Sequence, residues 1–267
     1  MRSIPSGAPI EVVGCLAHVI PSRVICSILD ISDSLAPQML AGIDRIAGFF
    51  GNLPPSEIQF DEARIALQTM KCSFMSEFEK KPSKVIEKRE ESDPRIAALT
   101  SVALLFAAVE TTRSAIAASL YRLGIQPELM ERLRGDRKAL PSFIEEVLRF
   151  DSPSQFMSRM AKSSIPLGGL TVKIGEPIVF FIGAANRDPA RFKNPDVFDM
   201  DREDNRHLAF GVGAHYCLGA HLARLEIRET LDAMLSRCSA IEILEKPTWS
   251  QNKNFRGISS LRVRLVE

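Results

Sequence analysis

The sequence predicts a mainly α-helical domain with small β-sheets, an α+β fold in which helices dominate the first part. Three observations carry this. Apolar stretches punctuated by proline and glycine run to about residue 150. Short β-rich runs bounded by glycine and proline follow at 168–175 and 176–182. A helical pattern returns over 217–236, before an alternating terminal run at 257–265. A chain of 267 residues can bury a large core as a single domain. With 45% hydrophobic and 25% charged residues it has the balance of a soluble globular protein. A net charge of +1 gives no reason to expect nucleic acid or an acidic membrane surface as the main partner.

In chain order, Ile10 to Ile20 is apolar with few breakers, and Pro21 sits well in the first turn of a helix running toward Leu29. Gly51-Asn52-Leu53-Pro54-Pro55 reads as a loop. The charged stretch from Phe78 to Pro94 reads as a solvated helix face and loop. Ser92-Asp93-Pro94 then supplies a cap and a first-turn proline, predicting a long helix to Leu123 that ends at Gly124. Further helices are expected over Pro127–Arg134 and Leu140–Phe150. No secretory signal opens the chain, and the uncharged stretch from Ile96 to Val109 is too short to span a bilayer. A cytoplasmic protein without a membrane anchor is the expectation.

The five cysteines, Cys15, Cys26, Cys72, Cys217 and Cys238, are odd in number and widely spaced, so no disulfide framework is suggested. Cys217 stands apart. Gly211 and Gly213 precede it, Gly219 follows, Phe210 lies upstream, and Leu218, Leu222 and Leu225 begin a helical apolar stripe. At a helix N-terminus, unpaired N–H groups and the dipole favour thiolate, the form that binds metal. A buried inert cysteine in a glycine-rich turn is the bland alternative. Zinc is a second one, because His207, His215 and His221 lie close by in sequence. No Cys-x-x-Cys pair accompanies them.

The run Phe210-Gly211-x-Gly213-x-His215-x-Cys217-x-Gly219-x-x-Leu222-Ala223-Arg224 resembles the heme-binding signature of bacterial cytochrome P450 monooxygenases. The resemblance implies heme b, with Cys217 as the iron ligand, Phe210 packed beside the sulfur, and His215 reaching a heme propionate. It further implies hydroxylation of a small apolar substrate with O2 and two electrons from NAD(P)H by way of a ferredoxin-type donor. Thiolate donation favours O–O cleavage over simple oxygen binding.

Other segments carry the likeness outward. Glu110-Thr111-Thr112 interrupts an apolar helix, where an unpartnered carboxylate is costly and threonine can bond back to a carbonyl four residues earlier. Taken alone, Glu110 and Arg113 on an exposed face is an equal reading. Ala107 to Thr112 resembles the family's oxygen-activation segment, which makes Glu110 and Thr111 a proton-delivering pair, although Ala108 stands where glycine is usual. Glu145-Glu146-Val147-Leu148-Arg149 resembles the structural Glu-x-x-Arg element, with Glu146 and Arg149 sharing a helix face. Its usual third member, a later arginine, is replaced by Val197, so an incomplete triad is expected. Arg159 would meet a heme propionate, and Ser152 to Met157 would face substrate. Arg202, Arg206, Arg224 and Arg228 form a candidate basic patch for an acidic electron donor. The resemblance begins partway into the family's domain, so 1–267 reads as one heme-binding domain, the C-terminal two-thirds of that fold. Two alternatives remain: a truncated fragment that is inactive or binds heme weakly, and a Cys/His zinc interaction module.

Overall fold

A computed structural model describes residues 7–51, 54–80 and 93–267. The loop expected at Gly51–Pro55 is described only in part, and most of the charged stretch after Lys80 lies outside the described residues. The helices are α1 (Val19–Ile28), α2 (Ala36–Phe50), α3 (Glu57–Lys80), α4 (Pro94–Ile125), α5 (Pro127–Gly135), α6 (Leu140–Phe150), α7 (Ile182–Ala185) and α8 (Ala220–Arg237). Strands β1 (Pro9–Glu11), β9 (Arg262–Val266) and β6 (Ala240–Ile243) form one antiparallel sheet in the order β1-β9-β6. Three two-stranded ribbons pair β2 (Met157–Met160) with β5 (Pro177–Phe180), β3 (Ile165–Leu167) with β4 (Leu170–Val172), and β7 (Thr248–Trp249) with β8 (Ile258–Ser260).

The central element is α4. Asp93 caps it, its carboxylate accepting the Arg95 N–H at 2.8 Å, and Pro94 opens the first turn. It runs two residues past the expected end. Gly124 is not a left-handed cap. A Cβ there would sit 2.5 Å from Ile243 Cδ1, so glycine is needed for β6 to pack closely. The two halves of α4 serve two cores. Its first half, through Ala98, Val102, Leu105 and Val109, packs with Ile25, Met39, Ile43, Met70 and Phe74 from α1, α2 and α3. From Ser114 to Leu120 every residue is buried, and this half joins Phe143 and Val147 of α6, Ile227 and Leu231 of α8, and Val263 of β9. Among the described residues α4 is the one helix long and apolar enough to cross a membrane by length and composition. It is packed here as the core helix of the fold.

The stretch from Ile10 to Ile20 is not one continuous α-helix. Ile10 pairs with Val263 in β1, and a π-helix follows over Val13–Ala17. Glu11 fastens this turn, its carboxylate accepting the N–H groups of Val13 at 3.1 Å and Leu261 at 2.9 Å.

Candidate heme-thiolate site

The cysteine loop is held by its own backbone and by α6 beneath it. Gly211 and Gly213 adopt φ of +67° and +70°, a conformation that L side chains rarely take, and this bends the chain back. The Cys217 N–H donates to the Phe210 carbonyl at 2.9 Å and closes the loop. Gly219, at φ −85°, is an ordinary N-cap of α8. Cys217 therefore precedes α8 rather than starting it, and its carbonyl accepts the Ala220 N–H at 3.3 Å.

Glu145 of α6, to which no role falls from the sequence alone, ties the loop down. It takes two hydrogen bonds from the Arg224 guanidinium, at 2.6 and 2.8 Å, and meets His207 Nε2 at 3.1 Å. Arg224 also lies over the Phe210 ring at 4.3 Å and reaches the Tyr216 hydroxyl at 3.3 Å. Burial pushes the Glu145 carboxyl up. The hydrogen bonds from Arg224 and His207 outweigh it and hold the group at about 2.

Below this lies a fully buried ion pair. Arg149 and Glu146 meet through two hydrogen bonds of 2.8 and 2.7 Å with no exposure. Arg149 also donates to the carbonyls of Asn186, Pro195 and Val197. Glu146 accepts the Asp199 N–H at 2.8 Å, Asn205 Nδ2 at 3.1 Å and Arg202 Nε at 3.4 Å. The expectation of an incomplete triad is corrected. Val197 faces solvent, and Arg202 brings the third charge from five residues later in the chain.

The four arginines of the candidate basic patch differ in their surroundings. Arg202 is 8% exposed on Glu146, Arg206 pairs with Asp204, Arg224 with Glu145, and Arg228 with Glu229. Glu146 is shared with Arg149 and Asp204 with Arg191, so the pairing leaves positive charge in excess, and the Arg206 and Arg228 side chains stay 82% and 52% exposed.

On α4, Glu110 is buried and ion-paired to Arg113 at 2.5 Å, so the carboxylate is both sequestered and partnered. It also lines a polar cleft of about 360 Å³ with Asp44, Gln59, Arg113, Gln251 and Asn252. The Thr111 hydroxyl donates to the Ala107 carbonyl at 2.8 Å, and the helix continues unbroken past it. Ala108 is half-buried beside the α1–α3 cluster.

These residues fit a flat iron porphyrin. Cys217 is exposed, flanked by the exposed apolar side chains of Val212 and Leu218. Along α4 an uncovered stripe runs through Leu99, Ala103 and Ala107 to Thr111, small and mostly apolar. Arg159 makes one hydrogen bond among the described residues, to the Ser158 carbonyl at 2.8 Å, which leaves its guanidinium free for a carboxylate. His215 is exposed in the 3-10 turn just before Cys217. The soft sulfur, apolar walls and basic groups are the donor set that such a group requires. Among the described residues no three His, Cys, Asp or Glu side chains gather into a metal-holding cluster, and His207 is spent on Glu145, so the zinc reading loses its site. All five cysteines are free.

The family model described as cytochrome P450 matches residues 56–263. The chain belongs to the cytochrome P450 family. Enzymes of this family are monooxygenases that bind heme b. Cytochrome P450 126 of Mycobacterium tuberculosis is 33% identical over 99% of this chain and 67% of its own length. The 6-deoxyerythronolide B hydroxylase of Saccharopolyspora erythraea is 30% identical over 96% of this chain and 66% of its own length. Among solved structures, P450BioI, in complex with an acyl carrier protein ligated to hexadec-9Z-enoic acid, superposes with a TM-score of 0.89 at 30% identity. That match covers 96% of this chain and 69% of the other. CYP164A2 of Mycobacterium smegmatis reaches a TM-score of 0.90 at 29% identity, over 99% and 70%. The chain spans about two thirds of the length of the curated relatives it matches.

Proposed function

We propose that this P450 chain forms the heme-holding part of a monooxygenase that hydroxylates a small hydrophobic substrate, with two electrons reaching it from NAD(P)H through a ferredoxin-type donor. When bound, the heme supplies the dioxygen chemistry. The chain's own residues have distinct tasks. Cys217 ligates iron as a thiolate, and Phe210 fixes its loop through the 2.9 Å hydrogen bond from the Cys217 N–H. Arg159 and His215 hold the propionates. Thr111, its hydroxyl proton donated to the Ala107 carbonyl, offers its oxygen as a hydrogen-bond acceptor beside the open face of α4, and Glu110, seated between Arg113 and the polar cleft, moves protons inward from water. The donor's acidic groups meet the more exposed of the proximal arginines, Arg206 and Arg228. The setting is the cytoplasm.

The observation that carries this reading is an exposed cysteine inside a loop that glycine geometry, Arg224 and Glu145 all hold in place. The test is the spectrum of the reduced, heme-loaded chain under carbon monoxide. A strongly red-shifted Soret band is expected, and Cys217→Ala should abolish it. An unchanged band in that variant overturns the assignment. A second reading, a chain that retains heme weakly, is favoured by the exposure of both strands of the β2–β5 ribbon, including Met157 and Met160 at 49% and 63%. Heme retention during gel filtration separates the two.

A further inference from the structure

The strongest unused feature is a buried carboxyl that no other group answers. Glu226, in the second turn of α8, is 7% exposed and stands beside Ile227 of the core. Among the described residues its carboxyl has no hydrogen bond and no ion pair, and Oε2 is wholly buried. The Thr230 hydroxyl, one turn on, donates to the Glu226 backbone carbonyl and leaves the side chain alone. Glu146, equally buried, shows the contrast, since it accepts from Arg149, Arg202, Asn205 and the Asp199 N–H. Helices α4, α5 and α6 pack on α8. Their Arg122, Arg132, Glu145, Glu146 and Arg149 are spent on Asp151, Asp201, Arg224 and one another. No charged group acts on Glu226, and burial alone pushes its carboxyl up to about 7.

Packing does not account for this residue. Inside a helix there is no free N–H for its carboxylate to cap, and an apolar side chain would fill the place without the cost of desolvation. A buried polar group left unsatisfied calls for another reason. Position supplies one. The helix that carries Glu226 grows out of the cysteine loop, with the Ala220 N–H on the Cys217 carbonyl and Arg224 over the Phe210 ring at 4.3 Å. From the N-cap Gly219 to Glu226 is about 10 Å along the helix axis. Unit charges so far apart, at an effective dielectric of about 20, change an equilibrium on the order of tenfold. A thiolate-bound ferric heme core carries no net charge, and one added electron makes it negative. A carboxylate on the same helix opposes that electron, whereas a neutral carboxyl does not.

We infer that Glu226 couples reduction of the Cys217-bound heme iron to the uptake of one proton, acting through the iron's charge rather than by touching it. Ferric iron gains one electron from the donor and becomes ferrous, and the Glu226 carboxylate gains one proton from water and becomes neutral. This deepens the proposed function and rests on it for the heme-thiolate bond. The test is a spectroelectrochemical titration of the heme-loaded chain, with dithionite as reductant, at pH values on both sides of 7. At a fixed potential the ferrous-to-ferric ratio of the parent should fall on the order of tenfold from pH 5.5 to 8.5, which is about 59 mV for a one-electron couple. Glu226→Gln keeps the shape without the charge, so it should lose most of that fall and match at pH 8.5 the parent at pH 5.5. Circular dichroism confirms that the variant folds. Infrared spectra of the parent give a second measurement that needs no variant. Because linkage is reciprocal, the protonated carboxyl band should persist to higher pH in the ferrous chain than in the ferric one. Equal pH slopes in parent and variant, or a carboxyl band that titrates alike in both iron states, would overturn the inference. Either result beside a red-shifted Soret band under carbon monoxide sinks this inference alone. Absence of that band sinks the heme-thiolate reading and this inference with it.

Discussion

The ground beneath Cys217 and the face of α4 near it are built on opposite terms. Beneath, nearly every polar atom is committed: Arg149 to Glu146 and three carbonyls, Glu146 to Arg202, Asn205 and the Asp199 N–H, Glu145 to Arg224 and His207. On the open face, Ala103, Ala107, Met157 and Phe181 are exposed, and the Arg159 guanidinium bonds one carbonyl. The contrast teaches which side must be rigid. A ligating sulfur has to stand at a fixed place before its partner arrives, so its support is a closed hydrogen-bond network. The other face leaves apolar surface uncovered, and it is where the proposed heme and substrate would sit.

The most forceful way to break this comparison is to remove one partner of the buried pair. Glu146→Ala leaves the Arg149 guanidinium fully buried without its carboxylate and should cost about 3–5 kcal/mol. Leu218→Ala, at a side chain 88% exposed beside Cys217, should stay within about 0.5 kcal/mol. Urea denaturation measures both. Equal effects would show that the underside is not the rigid half.

The next test sharpens it with pH. Glu145 and Glu226 lie on the two helices that carry the loop, and their carboxyls are shifted in opposite directions. Glu145 is held at about 2, below its ordinary value of 4.5, so its contribution to stability is present above pH 4.5 and is lost as pH falls toward 2. Glu226 is buried and pushed up to about 7, with one oxygen lacking any hydrogen-bond partner. For this group the favourable state is the protonated one, so stability is fully present below pH 4.5 and declines as pH rises through 7. Each shift corresponds to at most about 3 kcal/mol. Glu226→Gln should therefore raise the melting temperature at pH 8 and change it little at pH 4.5. Glu145→Gln should lower it at pH 8, with the deficit shrinking as the pH drops below 4.5. Melting curves at three pH values decide, and a Glu226→Gln gain that does not depend on pH would exclude desolvation as its cause.

How far the sequence carried these conclusions depended on distance along the chain. Gly211, Gly213 and Cys217 are close neighbours, and their bend was readable because glycine spacing reports local dihedrals. The α6 boundaries at Leu140 and Phe150 were readable for the same reason, with Pro141 inside the first turn. Thr111 bonding back to Ala107 follows from helix geometry alone. What escaped was long-range. Arg202 reaches Glu146 across 56 residues, and Ile10 pairs with Val263 near the far end of the chain, and no local pattern announces either. Gly124 looked like a helix stop because glycine often is one. Its actual reason is Ile243, visible only once β6 is placed against α4. The same long-range contacts separate Arg202 and Arg224, committed to Glu146 and Glu145, from Arg206 and Arg228, which stay exposed beside sequence-local partners.

The smallest predicted effect bears on the most instructive of those corrections. Val197 stands where the family resemblance led one to expect an arginine, yet it is 56% exposed while Arg202 occupies the space beside Glu146. Val197→Arg should change stability by less than about 0.5 kcal/mol, because the Glu146 oxygens already accept from Arg149, Arg202, Asn205 and the Asp199 N–H. Arg202→Leu should cost about 1–3 kcal/mol, the loss of a hydrogen-bonded charge beside a buried carboxylate. Combining the two separates position from charge. If an arginine at 197 recovers most of what Arg202→Leu loses, the site requires a second guanidinium and accepts it from either direction. If it recovers nothing, the backbone course from Val197 to Arg202 fixes which residue can reach Glu146, and the exchange of one arginine for another is a property of this loop's path rather than of its composition.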